Sequence, residues 1–321
     1  KTRQMIEKLN HELKQELLRK SRVHLLGRRE ILAHQESNLQ EMLTIMTKRE
    51  KEFWLKSNKK IFTADDVRNT QTQENPWGVF CDNDKGWVMT SGGSGGQKKI
   101  KWPSDWNRLL RSGIQTSRIF DAVGISRSDV LFTYDTGTMY SGNKMIEAGF
   151  SLVLDGHVIQ SQVSTIKEKL TTCFDFGVTF ISGVPRFLEK FARYLKLQNK
   201  RMPLRMLIST GYKYTQDQRK LFEDTFECRV GDMYGSVECG NIFWTCPQGR
   251  NHVNIDLVKV EKDLAGNTLF TGLNVNPVFN YFSGDRLEIV WPEKPCECGS
   301  HLPVCTKLDS QLSLQNYNEK G

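Results

Sequence analysis

Between residues 85 and 236 the chain alternates short β-branched or aromatic runs with amphipathic segments, and this alternation restricts the fold more than any other feature. The runs are WVMT, VLFTY, FSLVL, VTFIS, RMLIS and CRVGDMYG. Helical patterns lie between them near 104–123, 140–148, 162–172, 185–197 and 215–226. Apolar strands separated by helices dictate a largely parallel sheet covered by helices, an α/β class. After residue 250 the texture turns strand-rich, with HVNIDLVKVE, TLFTGL and RLEIVW broken by Gly and Asn turns. The expected organisation is a helical segment over 1–60, an α/β core over 61–250, a small β subdomain over 251–308 and a polar tail over 309–321.

Two helices are expected at the start. Ile6, Leu9, Leu13 and Leu17 repeat at helical spacing, and Leu39, Met42, Leu43, Met46 and Phe53 form a second stripe. The segment is basic: residues 1–60 hold fifteen Lys/Arg and eight Asp/Glu, most of the chain's net charge of +8. Acids alternate with the bases, so the charge reads as a solvated helix face, and no nucleic-acid partner is expected. No apolar run reaches the roughly 20 residues that span a bilayer. Eight cysteines without a secretory signal point to a reducing, cytoplasmic setting.

Directly after WVMT comes TSGGSGGQKK, residues 90–99. It is not a Walker A loop, because Gln97 and Lys99 flank Lys98 where that loop needs Gly and Ser/Thr. The dinucleotide G-x-G-x-x-G spacing is absent as well. What remains is a strand, a Gly/Ser turn whose successive N–H groups can cradle an anion, and a lysine. Two later stretches add to it. Asp232-Met233-Tyr234-Gly235-Ser236-Val237-Glu238 ends a strand-like run with an aromatic ring and a carboxylate, and Tyr281-Phe282-Ser283-Gly284-Asp285 places a second carboxylate after a turn. A nucleotide needs a stacking face, an acceptor for ribose hydroxyls and a carboxylate for Mg²⁺. Taken singly, Tyr234 also reads as a core aromatic, Glu238 as a helix N-terminal charge and Asp285 as a turn residue.

In this order the three stretches resemble the adenylate-forming superfamily of acyl- and aryl-CoA ligases. TSGGSGGQKK is similar to its phosphate loop, DMYGSVE to its Tyr-Gly-x-Thr-Glu motif, YFSGD to its Tyr-x-Thr-Gly-Asp motif and LISTGYKY to its adenine-side loop. FISGVPRFL and a CxCG resemble the phenylacetate-CoA ligase-like branch. The resemblance spans roughly residues 50–308. It implies a large N-terminal domain with layered sheets, ATP and Mg²⁺ as cofactors, and a small carboxylic acid as substrate. Thr90, Ser91, Gly92, Gly93, Ser94, Gly95 and Lys98 would hold the outer phosphates. Tyr234 would stack on adenine beside Thr210, Gly211 and Tyr212, within a site that also takes Asp232, Gly235 and Ser236. Glu238 would ligand Mg²⁺ and Asp285 would accept from the ribose. The acid's carboxylate attacks the α-phosphorus, pyrophosphate leaves, and an acyl-adenylate remains, with coenzyme A or a carrier protein as the thiol acceptor.

Three features depart from that pattern. Val237 replaces a hydroxyl residue before the glutamate, and Gln97 a proline before the loop lysine. The family's mobile C-terminal domain, with its lysine for the α-phosphate, is expected to be absent. Two further readings stay open for that reason: an acyl-protein synthetase-like transferase and a non-catalytic nucleotide-binding module. By position, Tyr134, Thr136, Met139, Tyr140, Phe180, Gly183, Val184 and Pro185 are candidate acyl-pocket walls suited to an aryl or short acyl group.

The cysteines form a separate constellation. Cys246 and His252 are six residues apart in a turn-rich stretch, and Cys296 and Cys298 flank Glu297. Three thiolates and an imidazole suit tetrahedral zinc with no open position, hence a structural ion. His301 and Cys305 are alternative ligands. Some phenylacetate-CoA ligase-like proteins resemble the chain in this respect too.

Overall fold

The computed structural model describes residues 2–56, 60–80, 87–90, 98–104, 106–134, 141–161, 165–273 and 276–310. The chain opens with three helices, α1 (Thr2–Ser21), α2 (Arg28–Ile45) and α3 (Lys48–Trp54). The expected second stripe is therefore divided after Met46. Thr47 starts a new helix there, its hydroxyl accepting from the Glu50 N–H while the Glu50 carboxylate accepts from its own N–H, a reciprocal cap. Helix α4 (Ala64–Asn69) follows, then the antiparallel pair β1 (Trp87–Thr90) and β2 (Lys101–Ser104), joined in register at Thr90 and Lys101.

Next come α5 (Trp106–Val123), β3 (Val130–Tyr134), α6 (Ser141–Glu147), β4 (His157–Ser161), α7 (Ile166–Asp175), β5 (Phe180–Gly183), α8 (Pro185–Leu197), β6 (Met206–Thr210), α9 (Gln216–Phe226) and β7 (Val230–Ser236). Strands β4, β3, β5, β6 and β7 are parallel neighbours, as the alternation predicts. Their faces are buried by α5 and the segment after α6 on one side and by α7, α8 and α9 on the other.

FSLVL is not a strand. Residues Ala148–Val153 continue α6 as a π-helical turn, and the strand is His157–Ser161 instead. A short apolar run fits a buried helix as well as a strand, and packing decides here. Gly113 of α5 and Gly149 let the two backbones meet: a Cβ on Gly149 would stand 2.7 Å from the Ser117 nitrogen. Thr116 donates to the Met145 carbonyl at 2.6 Å, closing the contact.

The strands after β7 are β8 (Gly240–Thr245), β9 (Asn251–Val253), β10 (Val258–Lys262), β11 (Thr268–Gly272), β12 (Val278–Tyr281), β13 (Asp285–Val290) and β14 (Val304–Ser310). They divide between two sheets. β10, β11 and β12 form a three-stranded sheet, whereas β8, β9, β14 and β13 extend the parallel sheet antiparallel, giving the order β13-β14-β9-β8-β7-β6-β5-β3-β4. HVNIDLVKVE is accordingly two strands. The turn between them carries Asn254, whose amide donates to the Asn241 carbonyl at 2.9 Å, and Asp256.

A buried ion pair ties the helical start to this turn. Arg118 and Asp256 are 0 % and 1 % exposed, with bidentate contacts of 2.8 and 2.7 Å. Arg118 also donates to Asn254 Oδ1 at 2.8 Å and to the Ser21 carbonyl at the end of α1 at 3.0 Å. None of the described helices is long and apolar enough to cross a membrane.

Candidate active site

The end of β7 and the turn to β8 organise the site. Gly235 is required there, because a Cβ would lie 2.2 Å from the Gly240 carbonyl oxygen. Gln115 of α5, fully buried, clamps the turn: its amide donates to the Cys239 carbonyl and accepts from the Asn241 N–H, both at 3.1 Å. Between these clamps sits Glu238. Its carboxyl is buried, accepts from the Tyr281 hydroxyl at 3.2 Å, and is pushed above the ordinary carboxylate range by burial. Among the described residues no cation forms an ion pair with it. A bound divalent ion would supply the missing positive charge.

Tyr234 stacks on Phe243, ring centroids 5.0 Å apart and planes 25° apart, which occupies one of its faces. Its hydroxyl donates to Asp285 Oδ2, which also accepts from Ser283 Oγ at 3.2 Å. Asp285 Oδ1 is buried and has no partner among the described residues. A buried, orphaned carboxylate oxygen is rare in folded chains and is open to a donor from a water, an ion's shell or a ligand. Thr210 ends β6, its hydroxyl donating to the Met233 carbonyl at 3.2 Å, and Gly211 turns there with φ +82°. Tyr212 is half exposed beyond it. Asp232, next to this turn on β7, is pushed up to about 7 by burial, partly opposed by Lys213. Ser236 is turned inward, its hydroxyl accepting from the Cys239 N–H at 3.1 Å.

Thr90 is buried at the end of β1. The expected phosphate residues Ser91 to Gly95 lie outside the described residues, as do the acyl-wall candidates Thr136, Met139 and Tyr140. Lys98 is held from behind: its Nζ donates to the Gln71 carbonyl at 2.8 Å, and Arg68 donates to its own carbonyl at 2.9 Å. On the acyl side, Gly183, Val184 and Pro185 lead from β5 into α8, and Tyr134 lies against α8 through Phe187. Phe180 is a correction. It is fully buried against Phe120 and Phe150, at 5.5 and 5.4 Å, and belongs to the core because strand alternation turns it to the sheet face opposite Ile181.

No family model matches the chain, and no curated protein matches it. Solved structures do. A crystal structure of an open conformation of 2-hydroxyisobutyryl-CoA ligase with 2-HIB-AMP and CoA superposes with a TM-score of 0.73 at 16% identity, over 88% of this chain and 75% of that one. The same ligase in its postadenylation state gives 0.71 at 17%, over 88% and 68%. The chain has the adenylate-forming ligase fold. Its architecture matches the large N-terminal domain of that fold, with Tyr234 hydrogen-bonded to Asp285 and Glu238 held by Tyr281.

At the other end of β8 from Glu238 lies the cysteine constellation. Cys246, His252, Cys296 and Cys298 place their ligand atoms within 4.8 Å of one another. Cys246 and Cys296 sulfurs are 3.8 Å apart, and Cys298 Sγ is 3.4 Å from His252 Nε2. A zinc tetrahedron with Zn–S near 2.3 Å and Zn–N near 2.0 Å has ligand edges of roughly 3.4–3.8 Å, so the set fits that ion. His252 Nδ1 faces the Leu302 carbonyl at 3.4 Å, which leaves Nε2 for a metal. A hydrogen bond from Cys298 holds the Cys246 thiol well below the usual thiol range, against the effect of burial, and His252 adds to the lowering. His301 and Cys305, the alternative ligands, lie outside the set.

Residue spacing did not single out Gln115, Tyr281 or Lys169. Tyr281 sits inside a quoted motif and could have been found from it. Gln115 reads as one more polar position on an amphipathic helix, and only the turn it clamps reveals its place.

Proposed function

We propose that the chain activates a small carboxylic acid with ATP, forming an acyl-adenylate and pyrophosphate, and that the acyl group passes to a thiol of coenzyme A or a carrier protein. The orphaned Asp285 oxygen beside Tyr234 is the observation that carries this reading. It is a buried acceptor awaiting a donor pair such as the ribose hydroxyls, on the fold whose solved relatives hold an acyl-AMP. Thr90 to Lys98 would hold the outer phosphates, with Thr210, Gly211 and Tyr212 along the adenine. Glu238 would hold Mg²⁺, which supplies charge neutralisation at the phosphates when bound.

Within this reading the chain's own residues position and neutralise rather than exchange protons. The acid's carboxylate is already a nucleophile, so no general base is needed. Gln115 fixes the turn that carries Glu238, and Tyr234 fixes the Asp285 carboxylate through Oδ2, leaving the buried Oδ1 open to a donor. Zinc at the four-residue cluster would be structural. The phenylacetate-CoA ligase-like branch is favoured by FISGVPRFL and by that cluster. The free thiols favour a reducing, cytoplasmic setting. Acid-dependent exchange of pyrophosphate into ATP tests the reading, and exchange is expected with at least one acid of a broad panel.

One observation favours a non-catalytic nucleotide-binding module instead. Val237 is a buried apolar residue, so the position directly before Glu238 offers no hydroxyl, and the Ser236 Oγ is turned back to accept from the Cys239 N–H. ATP binding without exchange over the whole panel would decide for the module. Transfer to protein thiols but not coenzyme A would decide for an acyl-protein synthetase-like reaction.

A further inference from the structure

Lys169 of α7 is turned into the fold and is only 5 % exposed. Its Nζ stands 3.8 Å from the centre of the Tyr134 ring and 5.7 Å from that of Phe187. Those two rings lie flat on each other, 3.7 Å apart with planes at 2°. Among the described residues Lys169 has no carboxylate within ion-pair distance. The ring faces attract the ammonium, but they replace only part of the hydration it loses. A buried cation left in this condition needs an anion.

Its place in the fold says where the anion comes from. Tyr134 is the last residue of β3, and Phe187 lies in the first turn of α8, directly after β5. Both are at the carboxyl ends of parallel strands, where open α/β sheets take their ligands. A Cβ on Gly183 would be 3.0 Å from Phe187, and one on Gly211 would be 3.4 Å from Val184. Lys169 is thus separated from the Gly211 turn of the nucleotide side by the Tyr134–Phe187 stack and Val184.

We propose that Lys169 receives a second anionic group on the acid, so that the substrate class is a small dicarboxylic acid. One carboxylate is activated and the other is read by the ammonium over the Tyr134–Phe187 stack. The inference rests on the adenylation reading for the first carboxylate and on Lys169 for the second.

Matched probes separate the two. Glutarate against valerate, adipate against hexanoate and terephthalate against 4-methylbenzoate differ only in the second charge. In pyrophosphate exchange the parent protein favours the diacid at least tenfold in kcat/KM for one pair. Lys169→Met lowers the diacid value at least tenfold more than the monoacid value, and Lys169→Arg restores most of the difference. Calorimetric titration of each acid without ATP gives a readout independent of chemistry: the diacid binds the parent more tightly than Lys169→Met. Diacid binding that depends on Lys169, without exchange, would sink the adenylation reading and leave the inference standing. Exchange with no diacid preference, or an equal loss for both acids, overturns the inference alone. Thermal melting checks the remaining explanation. Replacing an unpaired buried ammonium by an apolar group of like size leaves the melting temperature equal or higher. A clear fall would mean that the chain itself holds the counter-ion, and that also overturns the inference.

Discussion

The Tyr234 hydroxyl donates to one oxygen of the Asp285 carboxylate, and the other oxygen is buried without a partner among the described residues. The pair is a positioned acceptor. Asp285→Asn keeps the shape but replaces the charge, and a hydrogen bond to a charged group contributes about 1.5–3 kcal/mol. ATP and AMP binding are expected to weaken alike, roughly ten- to hundred-fold by calorimetry. Unchanged affinity for both would remove Asp285 from the nucleotide site.

Lys98 behaves differently, because its charge is expected near the outer phosphates. Lys98→Ala should weaken ATP binding more than AMP binding. Since its Nζ also rests on the Gln71 carbonyl, an equal loss for both nucleotides would assign it to anchoring the strand β2 side of the loop.

Asp232 gives a signed pH dependence. Burial raises its carboxyl from 3.8 to about 7 in the folded chain. Between those values the unfolded chain has released the proton and the folded one keeps it. Its contribution to stability therefore falls as pH rises from about 4 to 7 and is level above that, with a slope of at most about 1.4 kcal/mol per pH unit. Asp232→Asn should flatten the urea-denaturation profile over that window. Parallel profiles for parent and variant would show an ordinary, solvated carboxylate.

Zinc at Cys246, His252, Cys296 and Cys298 should appear as about one ion per chain by elemental analysis. Cys296→Ser should lose the ion and melt lower. Cys296 and Cys298 sit on the connection between β13 and β14, so hydrogen exchange along β13 toward Asp285 should quicken in the same variant. Metal-free protein with unchanged melting would make these ordinary buried thiols.

Asp256→Ala leaves the Arg118 guanidinium buried without its carboxylate. Breaking such a pair from one side costs about 3–5 kcal/mol. Because Arg118 also holds the Ser21 carbonyl, protease cleavage near the end of α1 should accelerate alongside the loss. Stability within 1 kcal/mol of the parent, as an order-of-magnitude bound, would show that water replaces the carboxylate.

The parallel half of the sheet was legible because VLFTY, VTFIS and RMLIS are buried on both faces and are punctuated by helices with their own caps, at Thr165 and Thr215. FSLVL was not, because burial on all sides erases the periodicity that tells helix from strand. The strands after residue 250 were legible as strands, but not their division into two sheets. That division depends on β14 pairing with β9 at Val304 and His252, a contact between residues 52 apart in sequence. In the site, Tyr234, Glu238 and Asp285 could be named from their motifs. Gln115 and Lys169 could not, since each acquires its meaning only from a turn or a ring brought to it by tertiary packing.

The order β13-β14-β9 has a consequence for how the protein comes into being. β13, which begins at Asp285, reaches the main sheet only through β14, the last described strand. A ribosome delivering this chain exposes Tyr234 and Glu238 some seventy residues before Ser310 emerges. Until then, among the described strands, β13 is tied only to β11, where the Leu287 N–H donates to the Thr268 hydroxyl at 2.8 Å. In the growing chain the Tyr234–Asp285 pair therefore forms only after β13 and β14 have paired, later than the parallel half of the sheet.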